Sequence, residues 1–374
     1  MRAPRSVVLL FVATLLWLPQ VQRFHHADRA RLREALTERT TRPRDVAAMR
    51  AVNPEWDFMR RTFTVLALGD RALSAPADAP ARYVAAMDRE IDDVLATEAT
   101  HGKSRFLLGY GSARPFVGPE ARSVFVDGEI VMMIAARELV APRPALRAEA
   151  DRRAEAIERA MRRSPTLSAE SYPDECWTFC NTTALAALSM WDAATGSDHD
   201  DLGRAWVARA KERLVDARTG ILVSSFTRDG VVRDGAEGSS IWMSARNLLL
   251  VDEAFARDQY ARARRELSVT FLGFAWAREW PQGAPRRPDV DSGPIVPLLD
   301  ASAGSSAFAL LGASAFGDEA YLDGLLASAE LAGFPDGAGY RASNDVGDAV
   351  LASALTHGPL WARARARRVA EVAR

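Results

Sequence analysis

The feature that most constrains this chain is an alternation between two kinds of helix. From residue 27 onward, apolar side chains recur at helical spacing. The pattern predicts helices over 27–40, 45–52, 54–72, 80–98, 119–140, 145–163, 176–195, 200–217, 239–251, 254–275, 301–316, 318–331 and 348–372. Breakers such as Pro142/Pro144, Pro165/Pro173, Pro281/Gly283 and Pro335/Gly337 stand between them. Five segments are apolar around most of their surface: 124–139, 176–191, 241–251, 301–315 and 350–361. Three others, 145–163, 200–217 and 254–267, carry charge on a broad face. A helix apolar on all sides must be buried, and a one-faced helix lies at the surface. Their alternation predicts an all-α fold of two concentric layers, an (α/α)6 toroid of about six helical hairpins. An irregular bundle and a solenoid are the alternatives, but a solenoid normally carries a repeat of fixed period, and none is visible. The one β signal is a short hairpin within 221–233, with Arg228-Asp229-Gly230 in its turn.

Composition narrows the function classes. Lys+Arg 48 against Asp+Glu 49 leaves a net charge of −1, so no basic excess marks a nucleic-acid partner. Two cysteines rule out a disulfide scaffold. There are 46 Arg, 2 Lys and 68 Ala, a skew that reads as genomic base composition rather than chemistry. No phosphate loop or dinucleotide fingerprint occurs, so no cofactor is expected, and no metal.

The N-terminus has the shape of an export segment. Arg2 and Arg5 precede a 12-residue run, 7–18, whose only polar member is Thr14. A bilayer span needs about 20 apolar residues, so the run is short, and extending it to Val21 makes it marginal. A cleaved signal and an uncleaved anchor both fit, with a buried N-terminal helix as the third reading. The expected organisation is a signal or membrane anchor over 1–24 and one barrel domain over 25–374. The protein is then exported, periplasmic or membrane-anchored, with membrane association through 7–21 and a homo-oligomer as a further expectation.

In a toroid the inner helices run parallel, so their N-termini meet at one end. Carboxylates recur at these junctions: Asp127 and Glu129, then Glu170, Asp174 and Glu175, then Asp234 and Glu237, then Asp289 and Asp291, then Asp345 and Asp348. Each alone has a plain explanation as a helix cap or dipole partner. The aromatic company of Tyr172, Trp177, Phe179 and Trp242 points further, to a site lined for an apolar or hydroxylated small molecule. A carboxyl against aromatic surface keeps its proton to higher pH and can donate it. Both cysteines fall in the segment 172–181. At i and i+4, Cys176 and Cys180 would share a helix face. They are small buried side chains, a strained disulfide for which i,i+4 helix geometry is poor, or a thiol whose pKa is lowered at a helix N-terminus.

The 172–181 segment, the hairpin, Gly238-Ser-Ser-Ile-Trp242 and Asp289-Val-Asp291-Ser-Gly-Pro294 together resemble the linalool dehydratase/isomerase family over roughly 109–358. The resemblance implies an exported (α/α)6 barrel. Its site, lined by aromatics, carboxylates and cysteine, would remove water from a small terpene alcohol, or shift its hydroxyl, without a cofactor. By motif, Cys180 is implied as the cavity cysteine, with Tyr172 and Glu175 flanking it. The chain departs from the family in the close spacing of Cys176 and in having Asp127 and Glu129 where a histidine is expected. The candidate catalytic residues are Cys180, Glu175, Asp127 and Asp291. The candidate substrate contacts are Tyr172, Glu129, Cys176, Trp177, Glu237, Trp242 and Asp289. A glycan-active toroid enzyme and a non-catalytic, membrane-anchored scaffold are the competing expectations.

Overall fold

A computed structural model describes residues 4–42, 47–75, 80–284, 292–337 and 339–372. The chain is mostly helical, as the periodicity predicts. Fifteen α-helices follow one another among the described residues: α1 (Arg5–Phe24), α2 (Arg29–Thr40), α3 (Ala47–Val52), α4 (Pro54–Ser74), α5 (Pro80–His101), α6 (Val124–Val140), α7 (Arg147–Arg162) and α8 (Thr178–Thr195), then α9 (Asp200–Arg213), α10 (Gly238–Leu248), α11 (Glu253–Leu267), α12 (Ala303–Phe316), α13 (Glu319–Ala332), α14 (Asp345–Thr356) and α15 (Pro359–Val372).

Every second helix turns inward. α4 packs on α6, α6 on α8, α8 on α10, α10 on α12, α12 on α14, and α14 back on α4. Contacts between helix ends fix their direction. Near their N-termini, Gly128 of α6 lies against Ala184 of α8, and the Trp242 indole of α10 donates to Ser305 Oγ of α12 at 3.1 Å. A Cβ on Gly128 would sit 3.2 Å from the Ala184 backbone, so the closest helix pair rests on a small residue. At the far end, Asp70 of α4, Arg246 of α10 and His357 just after α14 come together. The six inner helices therefore run parallel. Of α6, all but Val140 is buried, as an all-round apolar helix requires. The charged helices lie outside, where α5 bridges α4 and α6, and α2 bridges α14 and α4.

α4 belongs to this inner set although it carries Asp57, Arg60, Arg61 and Asp70, all buried. Burial of charge costs heavily unless it is paired. Here Arg60 and Arg61 reach Glu90 of α5, and Asp57 holds Arg50 and Arg61. Pairing within the protein hides a core helix behind a surface-like sequence.

Three expectations change. The helix expected over 348–372 breaks at Gly358, whose φ of +141° favours glycine, and Pro359 starts α15. α15 then turns across the ring and touches α4, α6 and α8. The helix expected to reach 275 ends at Leu267, and β-branched and aromatic residues take over in a second hairpin of β4 (Ser268–Phe271) and β5 (Phe274–Ala277). β structure is therefore not confined to one hairpin. The expected one is present as β2 (Ser225–Phe226) and β3 (Val232–Asp234), joined by β1 (Cys176–Trp177) into three strands. A third pair, β6 (Ile295–Val296) and β7 (Ala301–Ser302), leads into α12.

The N-terminal run forms α1, with Val7–Val12 and Leu15–Trp17 exposed. No helix among the described residues is long and apolar enough to cross a membrane.

Candidate active site

The strand–helix junction at β1 and α8 builds the centre of the site. β1 pairs with β2, and Thr178 N–H donates to Ser224 O at 2.9 Å, which fixes where α8 begins. Cys180 therefore lies in the first turn of α8, fully enclosed, while Cys176 lies in the strand. The expected shared helix face does not form. Cys176 Sγ points to Ser168 O at 3.8 Å, and both thiols are free. Burial pushes the Cys176 thiol up, so it acts as a small core residue.

Three carboxyls from three elements act electrostatically on Cys180. Glu55 comes from the first turn of α4, Glu129 from α6, and Glu175 from the turn before β1. Burial first, and then these three acids, push the Cys180 thiol well up, although Ser171 bonds to it. The expectation of a thiol acidified by its helix terminus is thereby reversed. Desolvation and like charge outweigh the dipole, and Cys180 stays a neutral thiol.

Glu129 is buried at 3% exposure and is pushed up to about 7 by burial, with the Thr62 hydroxyl pulling the other way. Half-buried Glu175 is also raised, mainly by burial, while Arg233 and Tyr110 oppose the shift. The Tyr172 hydroxyl donates to Glu55 Oε1 and accepts from Leu108 N–H at 2.9 Å. Burial and the Glu55 charge hold that phenol protonated. Tyr110 stacks on Tyr172 with ring centroids 4.5 Å apart. A Cβ on Gly111 would come within 2.8 Å of the Tyr172 ring, so glycine permits this approach.

Glu170 positions the segment rather than reacting. It accepts from Val117 N–H at 2.9 Å, Gly118 N–H at 2.6 Å and Asp174 N–H at 2.6 Å. Trp177 stands beside Phe179, and its indole Nε1 is buried without a hydrogen-bond partner. The same is true of Ser224 Oγ and of Ser240 Oγ in the first turn of α10.

Two expected residues face elsewhere. Asp127 opens α6 as predicted, but it sits two positions from Glu129 and so points to the opposite side of the helix. There it holds Arg122 at 2.6 Å and Arg153 at 2.6 Å, and Arg153 also holds Glu149 at 2.7 Å. A surface cavity of about 650 Å³ lies on that side, lined by Glu98, Lys103, Arg122, Asp127, Glu149 and Arg153. Its charges are balanced against one another. Trp242 is wholly buried between the inner and outer layers, edge-on to Tyr260 at 5.9 Å, and belongs to the core. Glu237 is half-buried at the N-cap of α10 without bonding the helix through its side chain. Asp289 and Asp291 lie outside the described residues.

Sequence reasoning missed Glu55, Tyr110 and Glu279. Glu55 obeys the rule that found the others, an acid opening an inner helix, but α4 was not recognised as one. Glu279 is a buried acid that ties three serines: it takes Ser239 N–H at 3.1 Å, the Ser302 hydroxyl at 2.6 Å and the Ser292 hydroxyl at 3.4 Å. It thus pins the segment before α12 to the start of α10. Among the described residues, no three of His, Cys, Asp and Glu converge as a metal cage would need.

A search among curated proteins finds no match to the chain. The sequence model of the family described as linalool dehydratase/isomerase matches residues 145–339, more than half of the chain. The match contains Tyr172, Glu175, Cys176 and Cys180, whereas Glu55 and Glu129 lie outside it. With its site segment inside that match, the chain belongs to the linalool dehydratase/isomerase family.

Proposed function

We propose that the protein is a hydro-lyase or isomerase that works by acid–base chemistry on a small, partly apolar alcohol. The closed cycle of six parallel helices, backed by an outer layer, supports reading the fold as an (α/α)6 toroid with the site at its N-terminal end. One observation carries the functional reading: Glu129 is a buried carboxyl raised to about 7 beside Cys180, with Glu55 and Glu175 close by. An acid of that strength is half-protonated at neutral pH and suits proton donation.

In this account Glu129 gives its proton to the substrate hydroxyl, and the C–O bond breaks to release water. A carboxylate, Glu175 or Glu55 acting through Tyr172, takes a proton from the neighbouring carbon as the double bond forms. One proton is given and one is taken, so the enzyme is restored by moving a proton among its acids. In an isomerisation, water returns at the far end of the allylic system. The neutral Cys180 thiol and the orphaned Trp177, Ser224 and Ser240 groups orient the hydroxyl.

The test uses linalool as probe and gas chromatography as readout. Cys180→Ala is expected to lose roughly 100-fold or more in turnover with its melting temperature unchanged. Wild-type turnover in that variant would overturn the reading.

A further inference from the structure

Large apolar side chains exposed on the body of the protein are not scattered. Val52 precedes α4, and Tyr110 and Val117 precede α6. Val231 and Val232 precede α10, and Phe271, Val296, Leu298 and Leu299 precede α12. Leu331 and Phe334 precede α14. Among the described residues, every one of these outside α1 thus lies in a segment leading into an inner helix. None of those described lies where an inner helix leaves the ring. A soluble face seldom concentrates exposed apolar groups in this way without a partner. Leu298 is fully exposed.

From these placements we infer that the N-terminal end of the ring is a membrane-docking face, seated on an anionic lipid surface. Two further observations select lipid as the occupant. The first is α1, an exposed apolar helix on the same chain, with Arg2, Arg5 and Arg23 and no acid before Asp28. Its apolar run of 12 residues spans about 18 Å, short of the roughly 30 Å hydrocarbon core. It is suited to lie in one leaflet rather than to cross. The second is charge. In the segment 102–123, which carries Tyr110 and Val117, Asp127 neutralises Arg122, Lys103 faces the charge-balanced cavity and Glu120 is paired with Arg163, which leaves Arg105 and Arg114 as the basic excess. Apolar loop tips with a basic flank match an anionic bilayer surface. A site that opens at this end would receive an apolar alcohol directly from the lipid.

The experiment is flotation of the full chain with phosphatidylcholine vesicles, with and without phosphatidylglycerol. Hydrogen–deuterium exchange is read over 228–234 and 294–302. The account expects flotation with the anionic vesicles and slower exchange in both segments. Val231→Glu, Leu298→Glu, Leu299→Glu and Phe334→Glu combined should weaken vesicle binding roughly tenfold or more with the melting temperature unchanged. If the combination lowers the melting temperature, Leu298→Glu alone, at a fully exposed residue, gives a smaller loss in the same direction. Unchanged flotation in these variants would overturn the proposal and leave α1 as the sole contact. Slow exchange without vesicles, in an oligomer that the variants dissociate, would overturn it in favour of a second copy of the chain. Turnover of soluble linalool by these variants stays at the wild-type level, which separates this proposal from the enzyme reading.

Discussion

The two ends of the helical ring bury ionisable groups in opposite ways. At the C-terminal end, Arg246 reaches from α10 to the far side of the ring. Its guanidinium lies 4.1 Å from the Trp361 ring centre, with Ser353 Oγ at 3.2 Å and His357 Nδ1 at 3.4 Å from its nitrogens. Asp70 faces it and accepts from Leu360 N–H at 2.7 Å. Burial raises Asp70 to about 7, against the pull of Arg246, and keeps the imidazole neutral, so a cation and its facing acid share one closed cluster under α15. At the N-terminal end, Glu55, Glu129 and Glu175 all act on the Cys180 thiol, and Arg233 and Arg114 act on Glu175. A balanced cluster fixes structure. An unbalanced one holds protons that can be moved.

Arg246→Ala gives the largest effect expected from this contrast. It opens a cavity beside Trp361 and leaves Asp70 to take up a proton, and should cost about 2–5 kcal/mol of stability, read as a fall in the urea midpoint. Glu129→Gln should do the converse. Turnover of linalool falls roughly 100-fold, about 2.7 kcal/mol of transition-state stabilisation. The urea midpoint holds or rises, because an amide is cheaper to bury than a carboxylate. Equal losses of stability in the two variants would erase the distinction between the ends.

Asp127→Asn sharpens the contrast within one helix. Arg153 keeps Glu98 and Glu149, so the stability cost should be about 1–3 kcal/mol, with turnover within about threefold of wild type. The smallest effect is expected from Tyr110→Phe. It removes one hydrogen bond to Glu175, worth about 1 kcal/mol. The ring stack on Tyr172 remains, so turnover should fall only a few-fold.

Much of the fold was legible because burial leaves a periodic trace. α6, α8, α10, α12 and the later part of α14 were recognisable as inner helices from their all-round apolar character. α4 was not, because ion pairs with α3 and α5 let charged residues be buried, and such pairing depends on residues far along the chain. The β4–β5 hairpin was hidden by a run whose apolar spacing also suits a helix. At the site, the 172–181 segment and the acids before inner helices pointed to Cys180, Glu175 and Glu129, and the structure brings both acids within electrostatic reach of the thiol. The direction in which each side chain points was the part that failed. Asp127 and Glu129 are separated by two residues and by the thickness of a helix. The protonation of Cys180 also escaped the sequence, because it depends on three carboxyls from three separate elements rather than on its own helix terminus.

The pH dependence of turnover tests the acid most directly. In the proposed reaction Glu129 donates in its protonated form, so its contribution is complete well below its raised pKa and is lost as pH rises through about 7. Wild-type kcat/KM for linalool should therefore fall above about pH 7, and the low residual rate of Glu129→Gln should lack that limb. A wild-type profile that stays flat through this range, or the same limb persisting in Glu129→Gln, would contradict the assignment of Glu129 as the proton donor.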